Sequence, residues 1–457
     1  MTEIRKDLGI YIHIPFCIKK CSYCDFLSGP ANDDIKKAYT DALIKEIKLK
    51  SIFGITKEIK TIFIGGGTPS CLPDGMILKI AEAIKESFSI SSDVEFTIEC
   101  NPGTLDINKL VEYKRAGINR LSIGLQSADN EELKLLGRIH TFEEFEKNYN
   151  LCRQAGFNNI NIDLMSGLPY QTEEKFVNTL KRILLLEPEH ISAYSLIIEE
   201  GTKFYDIYGN EAGEKYLPDE ETDRKIYHVT KKVLEEKGYK RYEISNYAKE
   251  GFICRHNYAY WERKDYIGFG CGAASLYRFD EIGYKDRSDA KIEKYKSAEG
   301  RQYSKIDYML LNMLKYSFYN KLCNNKSENN ISDVSYEAVR FKNIMDINKY
   351  IDELYKRSDS NAEKCEQIKA ITLKDEFELL DLKAAMEEFM FLGLRKTNGI
   401  SKKEFKRNFE AEFNSVYNEV TEKLKKEGLI EENGDYIRLT DRGTDLSNYA
   451  MSEYILD

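Results

Sequence analysis

The chain has 457 residues, of which 42% are hydrophobic and 32% charged, with a formal net charge of -9. Its length allows two or three domains with their own cores. Its charge argues against wholesale binding of nucleic acid, and no apolar run approaches the ~20 residues that a membrane helix needs. The N-terminus lacks the basic and then apolar layout of a signal peptide, so we expect a cytoplasmic location.

From residue 8 to about 198, short β-type segments alternate with helical patterns. The predicted strands are rich in Ile, Leu, Phe and Tyr and cover 8–16, 61–67, 95–102, 120–127, 159–169 and 190–198. Amphipathic segments between them have apolar residues three and four positions apart, as over 33–50, 74–88 and 172–187. Repeated βα units imply a parallel sheet. We therefore expect an α/β fold, an incomplete TIM-like (β/α)6 barrel over residues 1–200, with its chemistry at the carboxyl ends of the strands.

The rest of the chain divides into three predicted parts. Residues 201–284 are a mixed α+β extension with an aromatic segment, and 285–340 are a polar insertion. Residues 341–457 form a C-terminal domain that resembles a winged helix, ending in a hairpin with an Asn-Gly-Asp turn. Its helical patterns cover 374–395, 401–409 and 415–429. Because acidic and basic residues mix evenly there, we expect a docking or lid domain rather than a DNA-binding one.

Cys17, Cys21 and Cys24 directly follow the first predicted strand. Disulfides are rare in the cytoplasm, so this close spacing favours metal binding. Three thiolates on one loop can hold three irons of a cubane and leave the fourth iron without a protein ligand. The alternative is a zinc site that His13, on the preceding strand, completes.

The segment CIKKCSYC after YIHIPFC resembles the radical SAM superfamily, in particular its branch around oxygen-independent coproporphyrinogen III dehydrogenase. The resemblance covers about residues 8–280 and resumes from about 340 to the end. It implies a radical SAM barrel, a 4Fe–4S cluster on the three cysteines, and S-adenosylmethionine (SAM) on the open iron. In this superfamily an electron from the cluster cleaves SAM to a 5′-deoxyadenosyl radical. If the cluster is redox-active, the resemblance also implies an electron donor such as flavodoxin or ferredoxin.

Further positions match the cofactor site of the superfamily in order and spacing. The segment IGGGTPS matches the glycine-rich motif that lies beside the methionine moiety, where glycine permits close approach of the backbone. The resemblance assigns Glu99 to the amino-acid end of SAM and Arg138 to its carboxylate. It assigns Gln126 and Asp163 to the ribose hydroxyls. The candidate SAM-binding residues are Tyr11, Gly66, Gly67, Thr68, Glu99, Gln126, Arg138 and Asp163.

The segment from His256 to Trp261 matches the H-N-x-x-Y-W motif of the heme-chaperone (HemW-type) subgroup. Imidazole is a standard axial ligand of heme iron, so the resemblance implies heme as a further cofactor with His256 as its ligand. The alternative is aromatic core packing around a hydrogen-bonded, buried histidine. Two features differ from the dehydrogenases: Phe26 stands where they have a further cysteine, and only sixteen residues precede Cys17, where they have a long extension.

We therefore expect a protein that binds the cluster, SAM and heme and passes heme to acceptor hemoproteins, respiratory and membrane-associated ones in particular. A homodimer is compatible with these features. The alternative function is oxidative decarboxylation of the propionates of coproporphyrinogen III. A third is that of a SAM-dependent relative that degrades heme or transfers methyl groups. Whether SAM is cleaved stays open, and no catalytic residue is assigned.

Overall fold

The computed structural model describes residues 6–54, 57–278, 336–355 and 376–456. The predicted insertion over 285–340 lies outside the described residues except for its last five positions. No helix among the described residues is long and apolar enough to cross a membrane.

Six parallel strands, β1 to β6, lie side by side in chain order, each paired in parallel with the next. The strands are β1 Lys6–Ile14, β2 Lys57–Gly66, β3 Ile90–Cys100, β4 Arg120–Gln126, β5 Ile160–Ser166 and β6 His190–Ser195. The helices between them are α1 Asp33–Leu49, α2 Met76–Ser87, α3 Ile107–Ala116, α4 Asn130–Leu135, α5 Phe142–Gln154 and α6 Glu173–Leu184. The predicted (β/α)6 barrel is confirmed.

Local sequence explains where these elements lie. In β1, Ile10, Ile12 and Ile14 are fully buried and belong to the hydrophobic core, which also includes residues of α1 and α2. The residues between them point into the barrel, because successive side chains of a strand alternate in direction. At the start of α5, Thr141 and Glu144 form a capping box that satisfies two backbone N–H groups.

The part of the chain after β6 adds elements to both edges of the sheet. They are α7 Lys203–Tyr208, α8 Glu211–Glu214, α9 Glu220–Glu235, β7 Lys240–Arg241, β8 Asn246–Ala248, α10 Arg255–Trp261, β9 Tyr266–Phe269, β10 Ala274–Arg278, β11 Tyr336–Lys342, α11 Ile347–Tyr355 and β12 Glu376–Asp381. Within the described residues the sheet has twelve strands in the order β12-β11-β10-β9-β1-β2-β3-β4-β5-β6-β8-β7.

Three features of this sheet differ from the sequence predictions. Strand β9 pairs in parallel with β1, so the described sheet has seven parallel strands instead of six. Its four residues, one of them glycine, are too short a pattern to predict a strand. The helix predicted over 374–395 is wrong in its first part, because residues 376–381 pair with β11, and this tertiary pairing overrides the local helical pattern. Strand β11 also runs across the boundary proposed between residues 340 and 341.

The C-terminal domain has its own hydrophobic core and the element order of a winged helix. Its elements are α12 Leu382–Gly393, β13 Ile400–Ser401, α13 Lys402–Phe409, α14 Phe413–Lys426, β14 Ile430–Asn433, β15 Tyr436–Leu439, α15 Asp441–Asp445 and α16 Ser447–Ser452. The small sheet has the order β13-β15-β14. Gly434, in the predicted hairpin turn, has a φ of 60°, which explains the glycine.

Candidate functional site

Inward-facing side chains of neighbouring strands form rows across the barrel interior. From the amino to the carboxyl ends of β1, β2 and β3, these rows are Gly9, Thr61 and Glu95; then Tyr11, Phe63 and Thr97; then His13, Gly65 and Glu99. We call the first the lower row and the last the upper row. The upper row lies beside the loops at the carboxyl ends of the strands, where a barrel of this kind places its chemistry.

The loop after β1 holds Cys17, Cys21 and Cys24 at this end of the barrel, as predicted. All three are free thiols and partly exposed. The backbone anchors the loop, since the Cys17 N–H donates to the Gly29 carbonyl oxygen at 2.9 Å. Burial raises the pKa of the Cys24 thiol. Three partly accessible thiols on one anchored loop are a chemically suitable ligand set for iron.

Both ring nitrogens of His13, the candidate fourth ligand of a zinc site, are engaged in hydrogen bonds. Its Nε2 donates to the Leu27 carbonyl oxygen at 2.9 Å, so its Nδ1 accepts the hydrogen bond of the Tyr11 hydroxyl at 3.0 Å. Burial lowers the pKa of His13, so the ring is neutral. In the part of the chain that the structure describes, no three His, Cys, Asp or Glu side chains are grouped to hold one metal ion.

The glycine-rich motif lies directly against the cysteine loop. The Thr68 N–H donates to the Phe16 carbonyl oxygen at 2.7 Å. A Cβ atom on Gly67 would lie 2.7 Å from that oxygen and 3.0 Å from Cys17 Sγ. Gly66 has a φ of 116°, which other residues rarely adopt. The two glycines therefore allow the motif to pack directly against the loop that carries the first cysteine.

One acidic side chain, Glu99, contacts this motif, and a second, Asp163, is close enough to Glu99 for their charges to interact. The Gly66 N–H donates to Glu99 Oε2 at 3.0 Å. Burial, followed by the negative charge of Asp163, raises the pKa of Glu99 to about 8. Asp163 accepts hydrogen bonds from Asn161 Nδ2 at 2.7 Å and Ser122 Oγ at 3.1 Å, while burial raises its pKa as well. Both carboxyl groups would ionise more readily beside a cationic ligand, which makes this part of the barrel suited to one.

Gln126 and Tyr11 are placed by hydrogen bonds to neighbouring rings. Gln126 ends β4 with a φ of 75°, and its Oε1 accepts from the Tyr194 hydroxyl at 3.0 Å. Tyr11 stacks on Phe63, with ring centroids 6.4 Å apart. Burial and then the charge of Glu99 raise the pKa of Tyr11, so its hydroxyl stays protonated and remains a donor. Sequence reasoning missed Tyr194.

Arg138 reaches from the loop after α4 to the cysteine loop. One terminal nitrogen donates to Asn101 Oδ1 at 2.8 Å and to the Gly124 carbonyl oxygen at 2.5 Å. The other donates to Cys21 Sγ at 3.6 Å. Its Nε is buried without a hydrogen-bond partner among the described residues, so the guanidinium retains capacity for an anion such as a carboxylate. Asn101 was also missed, although it lies only two residues beyond Glu99.

His256 lies at the other end of the barrel interior, beside the lower row. Its backbone N–H donates to Glu95 Oε1 at 3.0 Å. Its Nδ1 is 2.8 Å from Thr61 Oγ1, and its Nε2 is 2.9 Å from the Tyr260 hydroxyl. The ring stacks on Phe63, and burial lowers the pKa of His256 to about 3. The structure therefore does not bring His256 together with the cysteine loop, and both ring nitrogens are engaged.

The opposite side of α10 contacts the C-terminal domain. The Arg395 guanidinium lies 4.4 Å from the centre of the Trp261 ring, and the Lys396 ammonium lies 5.8 Å from that of Tyr258. The His-Asn-x-x-Tyr-Trp segment thus contacts both the barrel interior and the domain that follows it in sequence.

Comparison with known proteins agrees with this arrangement. Residues 11–183 match the sequence profile of the Radical SAM superfamily, and residues 380–446 match that of the HemN C-terminal domain. Fold and site thus define a radical SAM protein, a class that implies a 4Fe–4S cluster and SAM. The heme chaperone HemW of Bacillus subtilis (strain 168) is 31% identical over 97% of this chain and 98% of its own length. The chain belongs to the HemW heme-chaperone family.

Two further relatives define the extent of the similarity. The heme chaperone HemW of Escherichia coli (strain K12) is 39% identical, over 60% of this chain and 71% of its own length. The structure of coproporphyrinogen III oxidase (HemN) from Escherichia coli superposes with a TM-score of 0.71 at 20% identity, covering 99% of this chain and 90% of that one. At this identity the structural match shows a shared fold.

Proposed function

We propose that this protein is a heme carrier that binds a 4Fe–4S cluster, SAM and heme and passes heme to hemoproteins. The observation that carries the proposal is the similarity to curated heme chaperones along nearly the whole chain. Phe26 supports a carrier over a coproporphyrinogen dehydrogenase. Its side chain is exposed at the position of the dehydrogenases' further cysteine, and a phenyl ring offers no ligand atom.

For the cluster we propose Cys17, Cys21 and Cys24 as the three ligands. When bound, the cluster supplies an electron-transfer centre with one iron open to SAM. Gly67 permits the close contact of the glycine-rich motif with the loop at Cys17, and the Nε of Arg138, unpartnered among the described residues, is suited to the carboxylate of SAM.

Four further side chains would orient SAM. Tyr11 lies next to the upper row. Glu99 would accept a hydrogen bond from the amino group of SAM. Gln126 and Asp163 would bind the ribose hydroxyls. Since the pKa of Glu99 is raised to about 8, binding of a cation would draw this group toward its ionised form.

For heme we propose His256 as the axial ligand, exposed when its Nε2 separates from the Tyr260 hydroxyl. Its imidazole is already neutral, so iron would not compete with a proton. Because Trp261 on the same helix packs under Arg395, opening of α10 would also shift the contact with the C-terminal domain.

The proposal extends to place and partners. We propose that the protein works in the cytoplasm and delivers heme to respiratory, membrane-associated hemoproteins. If the cluster cycles between redox states, a flavodoxin or ferredoxin would reduce it. A homodimer would be compatible with this role.

Heme titration of the anaerobically reconstituted protein, together with a coproporphyrinogen III assay, tests the function. We expect saturable heme binding with a Soret band, and no protoporphyrinogen after incubation with SAM and reductant. Clear turnover of coproporphyrinogen III would establish the dehydrogenase instead.

A further inference from the structure

Asn101, at the carboxyl end of β3, joins two sides of the cysteine loop through one amide group. Its Nδ2 donates to Thr68 Oγ1 at 2.7 Å, and its Oδ1 accepts from Arg138 at 2.8 Å. Thr68 Oγ1 in turn donates to Cys17 Sγ at 3.5 Å, and Arg138 donates to Cys21 Sγ at 3.6 Å. A single side chain therefore holds the donors of two of the three proposed cluster ligands.

The chemistry of these groups fixes the direction of each hydrogen bond. A guanidinium only donates, so the Asn101 atom that faces Arg138 is the carbonyl oxygen, and the NH2 group faces Thr68. A hydroxyl has a single proton. Because the oxygen of Thr68 already accepts from Asn101, its proton is directed toward Cys17. Without the amide, this hydroxyl proton is free to turn elsewhere.

The backbone of Asn101 is held as firmly as its side chain. Its N–H donates to Ser70 Oγ at 3.2 Å, and its carbonyl oxygen accepts from Thr104 Oγ1 at 2.6 Å. The two hydroxyls are themselves 2.6 Å apart. These hydrogen bonds hold Asn101, just after β3, against the short turn at Pro69–Cys71.

We propose that Asn101 is a positioning residue, which acts through Thr68 and Arg138 to set the hydrogen bonding of Cys17 and Cys21 and the orientation of the guanidinium toward SAM. The inference rests on the proposed cluster and SAM site and deepens both. Cys24 is supported instead from its own loop, by Ser28 Oγ at 4.0 Å from its sulfur and by a hydrogen bond with the Phe26 backbone. The three ligands are therefore unequal in their surroundings.

The test compares Asn101→Ala, Thr68→Val and the double variant after anaerobic reconstitution. Hydrogen bonds to the ligand sulfurs stabilise the more negative, reduced cluster. We expect Thr68→Val and Asn101→Ala each to lower the midpoint potential. If Asn101 holds the Thr68 proton in place, the double variant should show much less than the sum of the two shifts, because coupled residues are not additive.

SAM binding gives a second readout through Arg138. Asn101→Ala removes one of the two acceptors, Asn101 Oδ1 and the Gly124 carbonyl oxygen, that orient the guanidinium, so SAM affinity should fall roughly tenfold, measured from the EPR change of the reduced cluster. Asn101→Asp keeps an acceptor for Arg138 and provides a second variant should the alanine variant fold poorly. Its SAM affinity should stay within about threefold of the wild type.

Asn119→Ala is the matched structural control. Asn119 bonds backbone groups of Phe96 and Val94 near the amino end of β4, away from the cysteine loop, so its loss should leave potential and SAM affinity unchanged. Iron content distinguishes failure of the proposed cluster from failure of the proposed role of Asn101. Absence of iron in the wild type would overturn the cluster itself. Full iron content with an unaltered potential and SAM affinity in Asn101→Ala would overturn the role of Asn101 alone.

Discussion

The Nε2 atom of His256 lies 2.9 Å from the hydroxyl oxygen of Tyr260, one helical turn further along α10. The other ring nitrogen, Nδ1, is hydrogen-bonded to the Thr61 hydroxyl, and His256 is only 2% exposed. The ring is neutral, and both of its nitrogens are buried in hydrogen bonds. In the proposed heme site, the accessibility of this ring, rather than its basicity, would therefore control the binding of iron.

Replacing Tyr260 with Phe should strengthen heme binding. The change removes the hydroxyl that engages Nε2 and leaves a buried ring nitrogen without that partner, which destabilises the closed state by about 1 kcal/mol. We expect a severalfold lower Kd for heme in Tyr260→Phe and a weaker complex with a shifted Soret band in His256→Ala. Tyr258→Phe, on the other face of α10, is the matched control. An unchanged spectrum and affinity in His256→Ala would make His256 a buried core residue.

Cluster assembly should depend on Cys24 and not on Cys71. Cys71 lies close to the loop, where its thiol donates to the Phe16 carbonyl oxygen at 3.4 Å, but it is outside the three-cysteine motif. Anaerobic reconstitution should give about four irons per chain in the wild type and in Cys71→Ala, with loss of the cluster in Cys24→Ala. A colourless wild-type protein that takes up zinc and no iron would contradict the assignment.

Glu99 should make the apoprotein less stable as the pH rises. Its folded pKa is raised to about 8, above the ordinary value of 4.5. Between these values the unfolded chain releases the proton while the folded protein keeps it, so stability is present below pH 4.5 and is lost progressively up to about pH 8. Glu99→Gln has no group that titrates at this position. Relative to the wild type, its free energy of unfolding should therefore be higher at pH 8 than at pH 5 by on the order of 2 kcal/mol. Urea unfolding at the two pH values measures the free energy of unfolding of both proteins. A difference between variant and wild type that does not change with pH would refute the prediction.

Trp261 should couple the barrel to the C-terminal domain. Its ring packs under Arg395, while its Nε1 has no hydrogen-bond partner among the described residues. Trp261→Ala should therefore lower the free energy of unfolding by about 2–4 kcal/mol and expose the segment around Arg395 to limited proteolysis. Trp261→Phe keeps an aromatic face and should retain most of the protection. Identical digestion patterns for all three proteins would argue against the coupling.

The sequence was most informative where one segment determines its own structure. The alternation of short apolar segments with amphipathic ones predicted six parallel strands with helices between them, and the sheet order confirms it. Contacts between distant segments were not predictable in this way. Thr61 and His256 are separated by 195 residues, and they form a hydrogen bond because the fold places them side by side. Asn101 was missed for the same reason, since its importance lies in joining Thr68 to Arg138.

The central claim is that the protein carries heme, and transfer of heme to an acceptor tests it most directly. Reconstituted, heme-loaded protein would be mixed with membrane vesicles that contain a heme-free respiratory cytochrome, and the Soret spectrum and acceptor activity followed together. We predict that heme leaves the carrier, that acceptor activity recovers, and that His256→Ala loses this transfer. A protein that binds no heme but converts coproporphyrinogen III in the presence of SAM and reductant would contradict the account.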